Sequence, residues 1–147
     1  MGHLTGMRWL VLMVILFNRS ASAGGVAALE FHMGLGAEGT YFVVGTISNT
    51  GDDEIKKGYL VILPVTTACE PEKFVLHEFS ALMPGESSVF RVPVQGRLTA
   101  YRVVGFGAVD SMGYELPTTD ATKKILLSRR GDEIQRCKTN AMAHKSQ

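Results

Sequence analysis

The stretch TYFVVGTISNTGDD, residues 40–53, has the clearest secondary-structure pattern in the sequence. Its first ten residues are mostly β-branched and aromatic, the side-chain types enriched in strands. Residues 49–53, Asn-Thr-Gly-Asp-Asp, follow at once and form a strong turn cluster. The stretch therefore predicts a strand over Thr40–Asn49 that ends in a turn.

Similar apolar runs recur on both sides of this strand, and no helical period is present between residues 25 and 119. Turn-forming Gly, Asn, Asp and Pro separate the runs, which are Ala27–Met33, Thr40–Asn49, Gly58–Val65, Lys73–Phe79, Ser88–Val94, Ala100–Asp110 and Tyr114–Thr118. Seven short strands predict an all-β domain over residues 24–119, a seven-stranded antiparallel sandwich of the immunoglobulin or fibronectin type III kind. A small barrel is the alternative that the pattern leaves open.

Three of these runs also indicate how the predicted strand is buried or where it is irregular. Ser88–Val94 alternates cleanly, which is typical of a half-buried strand. Gly58–Val65 is apolar at odd and even positions alike, which favours a central strand covered on both faces. Pro64 is expected to end its ladder or to mark an edge, because proline has no N–H to donate. Gly105 and Gly107 inside the sixth run indicate a bulge or a close backbone approach.

The tail, residues 120–147, has a different character. Long straight-chain residues favour a helix over Ala121–Arg130, capped by Thr119 or Asp120. Gly131 is expected to interrupt it before a second helical piece, and residues 140–147 are expected to fray. A strand edge over Lys123–Leu127 is the alternative. In either form, the apolar centre of this segment is expected to pack against the sandwich.

The net charge changes sign between the predicted sandwich and the tail. Residues 24–119 hold 6 Lys/Arg and 11 Asp/Glu, a net charge of −5, whereas residues 120–147 hold 7 Lys/Arg and 3 Asp/Glu, a net charge of +4. A net-acidic body argues against binding of nucleic acid. The basic stretch of the tail is interpreted as a solvated face, with an acidic protein or anionic lipid as the alternative.

The N-terminus has the pattern of a secretory signal peptide, residues 1–23. Residues 9–17, WLVLMVILF, form an apolar run that suits a signal peptide but is too short to span a membrane. Arg8 precedes the run, and Ala21-Ser22-Ala23 supplies small residues for cleavage after Ala23. The sequence thus predicts a secreted or periplasmic protein without a stable membrane anchor. A buried N-terminal helix is the alternative.

The two cysteines, Cys69 and Cys137, are predicted to form a disulfide, because an exported protein folds in an oxidising compartment. Such a bond would fasten the tail to the body. Two free thiols and a disulfide between chains are the alternatives.

Neither a catalytic constellation nor a metal site is predicted, and no cofactor is expected. No serine lies in a Gly-x-Ser-x-Gly elbow. His32 and His77 lie in predicted strands, without a second His or Cys at ligand spacing. These observations favour a binding protein over an enzyme.

Candidate binding residues lie in three predicted loops, where sandwich domains commonly bind their partners. The loops are Asn49–Ile55, Thr66–Glu72 and Ser111–Leu116. The residues predicted to contact a partner are Asp52, Asp53, Glu70, Glu72 and Tyr114.

Two segments resemble bacterial exported immunoglobulin-like domains. They are Val44–Gly51, with the pattern G-x-I-x-N, and Met83–Phe90, with the pattern P-G-E-x-x-x-F. Small size, a signal peptide, two cysteines and the strand count are also similar to the secreted interleukin receptor mimic family. That resemblance implies a fibronectin type III-like fold, a homodimer formed by strand exchange, and host interleukins as partners. It carries over no functional residue.

Two functions follow as hypotheses. The first is a secreted, non-enzymatic binding protein, a virulence factor that binds host interleukins by mimicking a cytokine receptor domain. The alternative is a periplasmic accessory or assembly protein of a secretion or fimbrial system. Release into the medium favours the first, and retention in the periplasm favours the second.

Overall fold

The computed structural model describes residues 24–66, 69–96 and 100–146. Within these ranges the chain forms two β-sheets and one C-terminal helix, with the elements β1 (Ala27–Ala37), β2 (Thr40–Asn49), β3 (Lys57–Val65), β4 (Val75–Phe79), β5 (Ser87–Val94), β6 (Ala100–Val109), β7 (Thr118–Asp120) and α1 (Lys123–Lys145). Sheet 1 has the strand order β5-β2-β1-β7, and sheet 2 has the order β4-β3-β6. The predicted signal peptide, with Ala21 and Ala23, lies outside the described residues.

The two sheets share one apolar core. Its fully buried side chains come from both sheets and include Leu29, Val43, Ile47, Leu60 and Ile62. The alternation predicted along β5 is confirmed, since its buried side chains are Phe90, Val92 and Val94. A mostly β chain with one core between two sheets confirms the predicted fold class at this level and is consistent with a β-sandwich.

The last strand differs from the prediction in position and direction. β7 spans Thr118–Asp120 rather than Tyr114–Thr118, and it pairs in parallel with β1. The all-antiparallel prediction is therefore wrong for this pair. Residues 110–116 form a turn instead, because the Asp110 carboxylate accepts the backbone N–H groups of Met112 and Tyr114. The chain then crosses to the other sheet, where a parallel partner is available.

β3 is the central strand of sheet 2, as predicted, but it is covered on one face only. Tyr59 on its outer face is 42% exposed, so the expectation of two covered faces is wrong. Pro64 does not end β3, which runs to Val65 and pairs with β6 through Pro64; only the ladder to β4 stops before the proline, at Ile62. The β3–β6 register shifts next to Gly105, which confirms the predicted bulge.

The tail is one continuous helix. α1 runs through Gly131 to Lys145, so the predicted interruption and the predicted second piece are wrong, and the helix continues into the segment that was expected to fray. A single glycine costs a helix about 1 kcal/mol, which long straight-chain neighbours tolerate. The residue before the helix is Thr122, not Thr119 or Asp120, and its side chain makes no capping hydrogen bond.

A disulfide fastens α1 to the body, as predicted. Cys69 and Cys137 are bonded, with 5.4 Å between their Cα atoms. The apolar centre of the helix does not pack against the sheets as expected, since Ile125 is 53% and Leu127 is 57% exposed. Across the described residues, no helix combines the length and the apolar character needed to cross a membrane.

Candidate protein-binding surface

A β-bulge at Glu30 reverses the orientation of the second half of β1. Leu29 pairs with Ile47, but the next pair joins Phe31 to Thr46, so Glu30 has no partner of its own. Leu29 is fully buried, whereas Phe31, two residues later, is 51% exposed. In a regular strand, residues two apart share a face. The bulge therefore turns Phe31 out of the core.

The same bulge exchanges the environments of the following residues. Met33 and Leu35 point outward with Phe31 and are 44% and 40% exposed, whereas His32 points inward and is 8% exposed. Apolar side chains are thus presented to solvent while a polar ring occupies the interior. Bulges commonly re-aim side chains next to functional sites. This one moves apolar side chains to the surface at the cost of their burial.

Two features of β2 hold the bulge. The Ser48 hydroxyl donates a 2.5 Å hydrogen bond to the Glu30 carboxylate. Opposite the bulge, the Phe31 carbonyl oxygen approaches Gly45 so closely that it occupies the position of a Cβ atom there. Residue 45 must therefore lack a side chain for the bulge to form.

The bulge completes an apolar surface on the outer side of sheet 1. We call this surface the apolar face and define it by three rows across β1, β2 and β5: Phe31-Thr46-Val89, Met33-Val44-Arg91 and Leu35-Phe42-Pro93. Seven of these nine side chains are apolar. At ordinary strand and residue spacings the rows cover roughly 300 Å². Contiguous apolar patches of about this size are often functional.

Charge is nearly absent from the apolar face. Arg91 carries its only formal charge, and the Arg91 guanidinium carbon lies 3.7 Å from the centre of the Phe42 ring in a cation–π contact. Val89, on the edge strand, is 78% exposed. The solvated face of an antiparallel sheet normally carries polar side chains. A contiguous apolar surface on this side of a sheet is therefore a candidate for contact with another protein.

The structure does not bring the predicted binding residues together. Asp52, Asp53 and Tyr114 lie in the connections before β3 and after β6, at one end of the sheets. Glu70 and Glu72 lie after β3, which has nine residues and is about 30 Å long, and so are at the other end. None of the five belongs to the apolar face. Their role in binding stays a prediction.

Sequence reasoning missed the apolar face because the alternation in β1 is unbroken. Leu29, Phe31, Met33 and Leu35 continue one period-2 pattern, which predicts one buried face. A weaker signal was present in β2. Its odd and even positions are both apolar: Val43 points inward, and Phe42 and Val44 point outward. This pattern indicates a second apolar surface.

A buried hydrogen-bond chain lies behind the bulge. His32 Nδ1 lies 2.7 Å from the Tyr101 hydroxyl, and His32 Nε2 lies 2.6 Å from the Thr122 hydroxyl. The Thr122 hydroxyl in turn donates a 2.6 Å hydrogen bond to the Asp120 carboxylate. These hydrogen bonds connect β1, β6, β7 and the residue that precedes α1.

Proton positions along this chain follow from the Thr122 hydroxyl. Its single hydrogen goes to Asp120, so its oxygen accepts from His32 Nε2–H, and neutral His32 accepts the Tyr101 hydrogen at Nδ1. Burial lowers the pKa of His32, although the Asp120 charge acts in the opposite direction, and burial raises the pKa of Tyr101 to about 12. The hydroxyl donates to a carboxylate rather than to the imidazole. The geometry is that of a structural link, not of an activated nucleophile.

Metal-binding chemistry has no candidate in the part of the chain that the structure describes. No group of three or more His, Cys, Asp or Glu side chains there could hold a metal ion. That the protein uses no metal or cofactor stays a prediction.

Comparisons with known proteins give little further information. No family model matches the chain, and no curated protein matches it. One solved structure, β-glucosidase 3B from Thermotoga neapolitana with α-D-glucose, is similar over 48% of this chain and 11% of the enzyme, at 23% identity and a TM-score of 0.37. A second structure of the same enzyme, with glucose, is similar over 47% of this chain and 10% of the enzyme, at 24% identity and a TM-score of 0.36. The chain thus spans about a tenth of the enzyme, and similarity this weak carries no argument about function.

Proposed function

We propose that this chain is an exported, non-enzymatic protein-binding domain whose partner covers the apolar face. The observation that carries the proposal is the bulge at Glu30, which places Phe31, Met33 and Leu35 on the surface. These three side chains are 40–51% exposed, so each forgoes roughly half of the about 1.5–3 kcal/mol that full burial of a large apolar side chain contributes. A partner that covers these side chains recovers part of that free energy.

The shape of the apolar face favours a folded protein as the partner. Small molecules bind in concave sites that surround most of their surface. The rows of the apolar face lie across three paired strands rather than around a cavity, and aromatic side chains such as Phe31 and Phe42 are typical of protein interfaces. The complementary surface on the partner should be apolar and nearly uncharged, with an acidic group placed to meet Arg91.

Host interleukins are the first partners to test, and this choice rests on the resemblance to the interleukin receptor mimic family. The immunoglobulin or fibronectin type III assignment belongs to the same proposal and is supported by sheets of four and three strands around one core. Export, with removal of residues 1–23, is compatible with the disulfide between Cys69 and Cys137. A homodimer formed by strand exchange stays a prediction of the resemblance.

The test is binding of the purified, disulfide-bonded protein to an interleukin panel, measured by surface plasmon resonance. The proposal expects saturable binding by at least one interleukin, unaffected by the Asp52→Ala/Tyr114→Ala substitutions in the end loops. Absence of binding across the panel would exclude the mimic function. Loss of binding on substitution of the loop residues would move the site away from the apolar face.

A further inference from the structure

Sheet 1 ends on one side in strand β5, whose outer edge is unpaired. Among the residues that the structure describes, β2 is the only strand that pairs with β5. The other end of the sheet is β7, which has three residues and is followed closely by α1. β5 has eight residues and offers the longer free edge. An unpaired edge of this kind can add a further strand.

The β2–β5 ladder determines which backbone groups of β5 face this edge. The Asn49 N–H donates a 2.9 Å hydrogen bond to the Glu86 carbonyl, and hydrogen-bonded pairs alternate with non-hydrogen-bonded pairs along an antiparallel ladder. The backbone groups of residues 88, 90 and 92 therefore point toward β2. The residues before Pro93 whose N–H and C=O groups point away from β2 are Ser87, Val89 and Arg91.

Pro93 agrees with this alternation, because its nitrogen carries no hydrogen and lies on the unpaired side of β5. Proline also limits the addition of a strand to the part of the edge that precedes it. In that part, residues 87–91 read Ser-Ser-Val-Phe-Arg, with one charge and no lysine. Natural edge strands are commonly protected from pairing by lysine, proline or inward-pointing charges. Here that protection is limited to the end of the strand.

We propose that two copies of this chain pair through their β5 edges, as antiparallel strands related by a two-fold axis at Val89. Each copy keeps all of its own strands, in contrast to strand exchange. Val89 forms hydrogen bonds with Val89 of the second copy, and Ser87 forms them with Arg91 of the second copy. The pairing therefore uses every outward backbone group between residues 87 and 91.

The side chains of β5 suit pairing with a second copy in this register. The Val89 side chain, which is 78% exposed, lies beside Val89 of the second copy, so each covers an exposed apolar group of the other. Arg91 lies opposite Ser87 rather than opposite another arginine, so like charges do not meet.

The neighbouring registers are less favourable. A shift toward the C-terminal end of β5 brings Pro93 into the ladder, where it has no N–H to donate. A shift toward the N-terminal end brings in Gly85, whose N–H already donates to the Asn49 carbonyl. The register about Val89 avoids both residues.

The pairing joins the two apolar faces on one side of a single sheet, with four strands from each copy. The combined apolar surface is roughly 600 Å². This inference goes beyond the proposed function, because it uses the edge of sheet 1 and its tests require no other protein. A ladder of five residues buries less than the roughly 1,200 Å² of a stable interface. We therefore expect a weak dimer, with a dissociation constant between about 10 μM and 1 mM.

Oxidative cross-linking tests the register. Both native cysteines are bonded to each other, so an introduced cysteine is the only free thiol. Cα atoms of a hydrogen-bonded antiparallel pair are about 5.5 Å apart, which is within the range of a disulfide. Val89→Cys should therefore form a covalent dimer under mild oxidation, whereas Leu76→Cys, at a residue 57% exposed on the outer side of sheet 2, should remain monomeric.

Two further variants test the pairs beside the axis. Ser87→Cys and Arg91→Cys should cross-link with each other in a mixture and much less when either is oxidised alone, with the bond located by peptide mapping. Equal cross-linking of Val89→Cys and Leu76→Cys, or no preference in the mixture, would overturn the proposed register.

Sedimentation equilibrium of the purified, disulfide-bonded protein tests the dimer itself. Val89→Pro removes an N–H that faces the free edge and none that pairs with β2, so the fold should be retained while the dissociation constant rises about tenfold or more. Val89→Thr keeps the N–H and a β-branched side chain and should still dimerise. A wild-type protein that is monomeric up to about 1 mM, or a dimer that Val89→Pro leaves unchanged, as strand exchange would give, would overturn the proposal.

Discussion

Gly45 and Phe90 lie opposite each other in the β2–β5 ladder, and the Phe90 ring fills the space that a side chain at position 45 would need. A Cβ atom at Gly45 would come within 2.5 Å of the Phe90 ring and still closer to the Phe31 carbonyl oxygen. These residues are the first glycine of the G-x-I-x-N segment and the phenylalanine of the P-G-E-x-x-x-F segment. The pairing thus joins the two segments and permits the bulge that creates the apolar face.

Gly45→Ala should destabilise the fold by about 3 kcal/mol, because a buried backbone carbonyl and a core ring must both move. Gly131→Ala is the matched control. A Cβ at Gly131 meets nothing within 4 Å, and the residue lies inside α1, so this change should stabilise the protein by about 0.5–1 kcal/mol. Urea unfolding of both variants measures the difference. A neutral Gly45→Ala variant would contradict the described bulge.

Asn49 makes four hydrogen bonds from one buried side chain. It accepts the N–H groups of Val26 and Gly51 and donates to the carbonyls of Asp53 and Leu82. Asn49→Ala should lower the free energy of unfolding by roughly 3 kcal/mol, because it leaves several of these backbone groups unsatisfied. The adjacent exposed Thr50→Ala should change it by less than about 0.5 kcal/mol. If chemical denaturation shows equal losses of unfolding free energy in the Asn49→Ala and Thr50→Ala variants, the four hydrogen bonds of Asn49 do not stabilise the fold as described.

Removing the disulfide should release α1 while the sheets stay folded. Cys69 and Cys137 are 68 residues apart in sequence. The chain-entropy model predicts that a disulfide closing a loop of this length stabilises the fold by about 4 kcal/mol. Because the apolar side chains of α1 are largely exposed, few contacts would hold the helix in a Cys69→Ser/Cys137→Ser variant. Hydrogen exchange should accelerate throughout α1 and much less in β2 and β3. Arg102→Ala, which removes the exposed ion pair to Glu133, should cost less than about 1 kcal/mol. Unchanged exchange in α1 of the serine variant would contradict this account.

Acidification should destabilise the protein through buried His32 and partly buried His77. Burial lowers the pKa of His32 and of His77 below the ordinary value of 6.5. The unfolded chain then binds protons more readily, so stability is complete above pH 6.5 and falls as the pH drops below it, by up to about 1.4 kcal/mol per pH unit for His32 and by less for the more exposed His77, whose charge is screened by solvent. Unfolding free energies between pH 7 and 5 should fall less steeply in His32→Gln and in His77→Gln than in the wild type. An unchanged slope in both variants would show that neither histidine is coupled to folding.

The parts of the fold that local patterns determine were predictable. The alternation in β5 predicted that Phe90, Val92 and Val94 are buried, and the turn cluster after Asn49 predicted the end of β2. Pairing of the two cysteines followed from the chemistry of an oxidising compartment.

The apolar face was not predictable in this way, because its cause lies in the neighbouring strand. The bulge at Glu30 depends on the space at Gly45 and on the hydroxyl of Ser48, which are far from it in sequence. The unbroken helix has a different reason, since Gly131 has nothing around it that would favour a turn over helix continuation. Contacts between distant residues, rather than local propensity, determine which side chains form the apolar face.

If the partner covers the apolar face, charges placed on that face should weaken binding, whereas a charge placed elsewhere should not. Phe31→Lys/Val89→Lys places two charges in one row of the face, at positions 51% and 78% exposed, where folding should be little affected. Leu76→Lys makes a similar change at a residue 57% exposed on the outer side of sheet 2. For an interleukin that binds the wild type, surface plasmon resonance should show an affinity reduced about tenfold or more by the double substitution, since burying unpaired charge is costly, and unchanged by the single one. Equal affinity of the double variant and the wild type would contradict the claim.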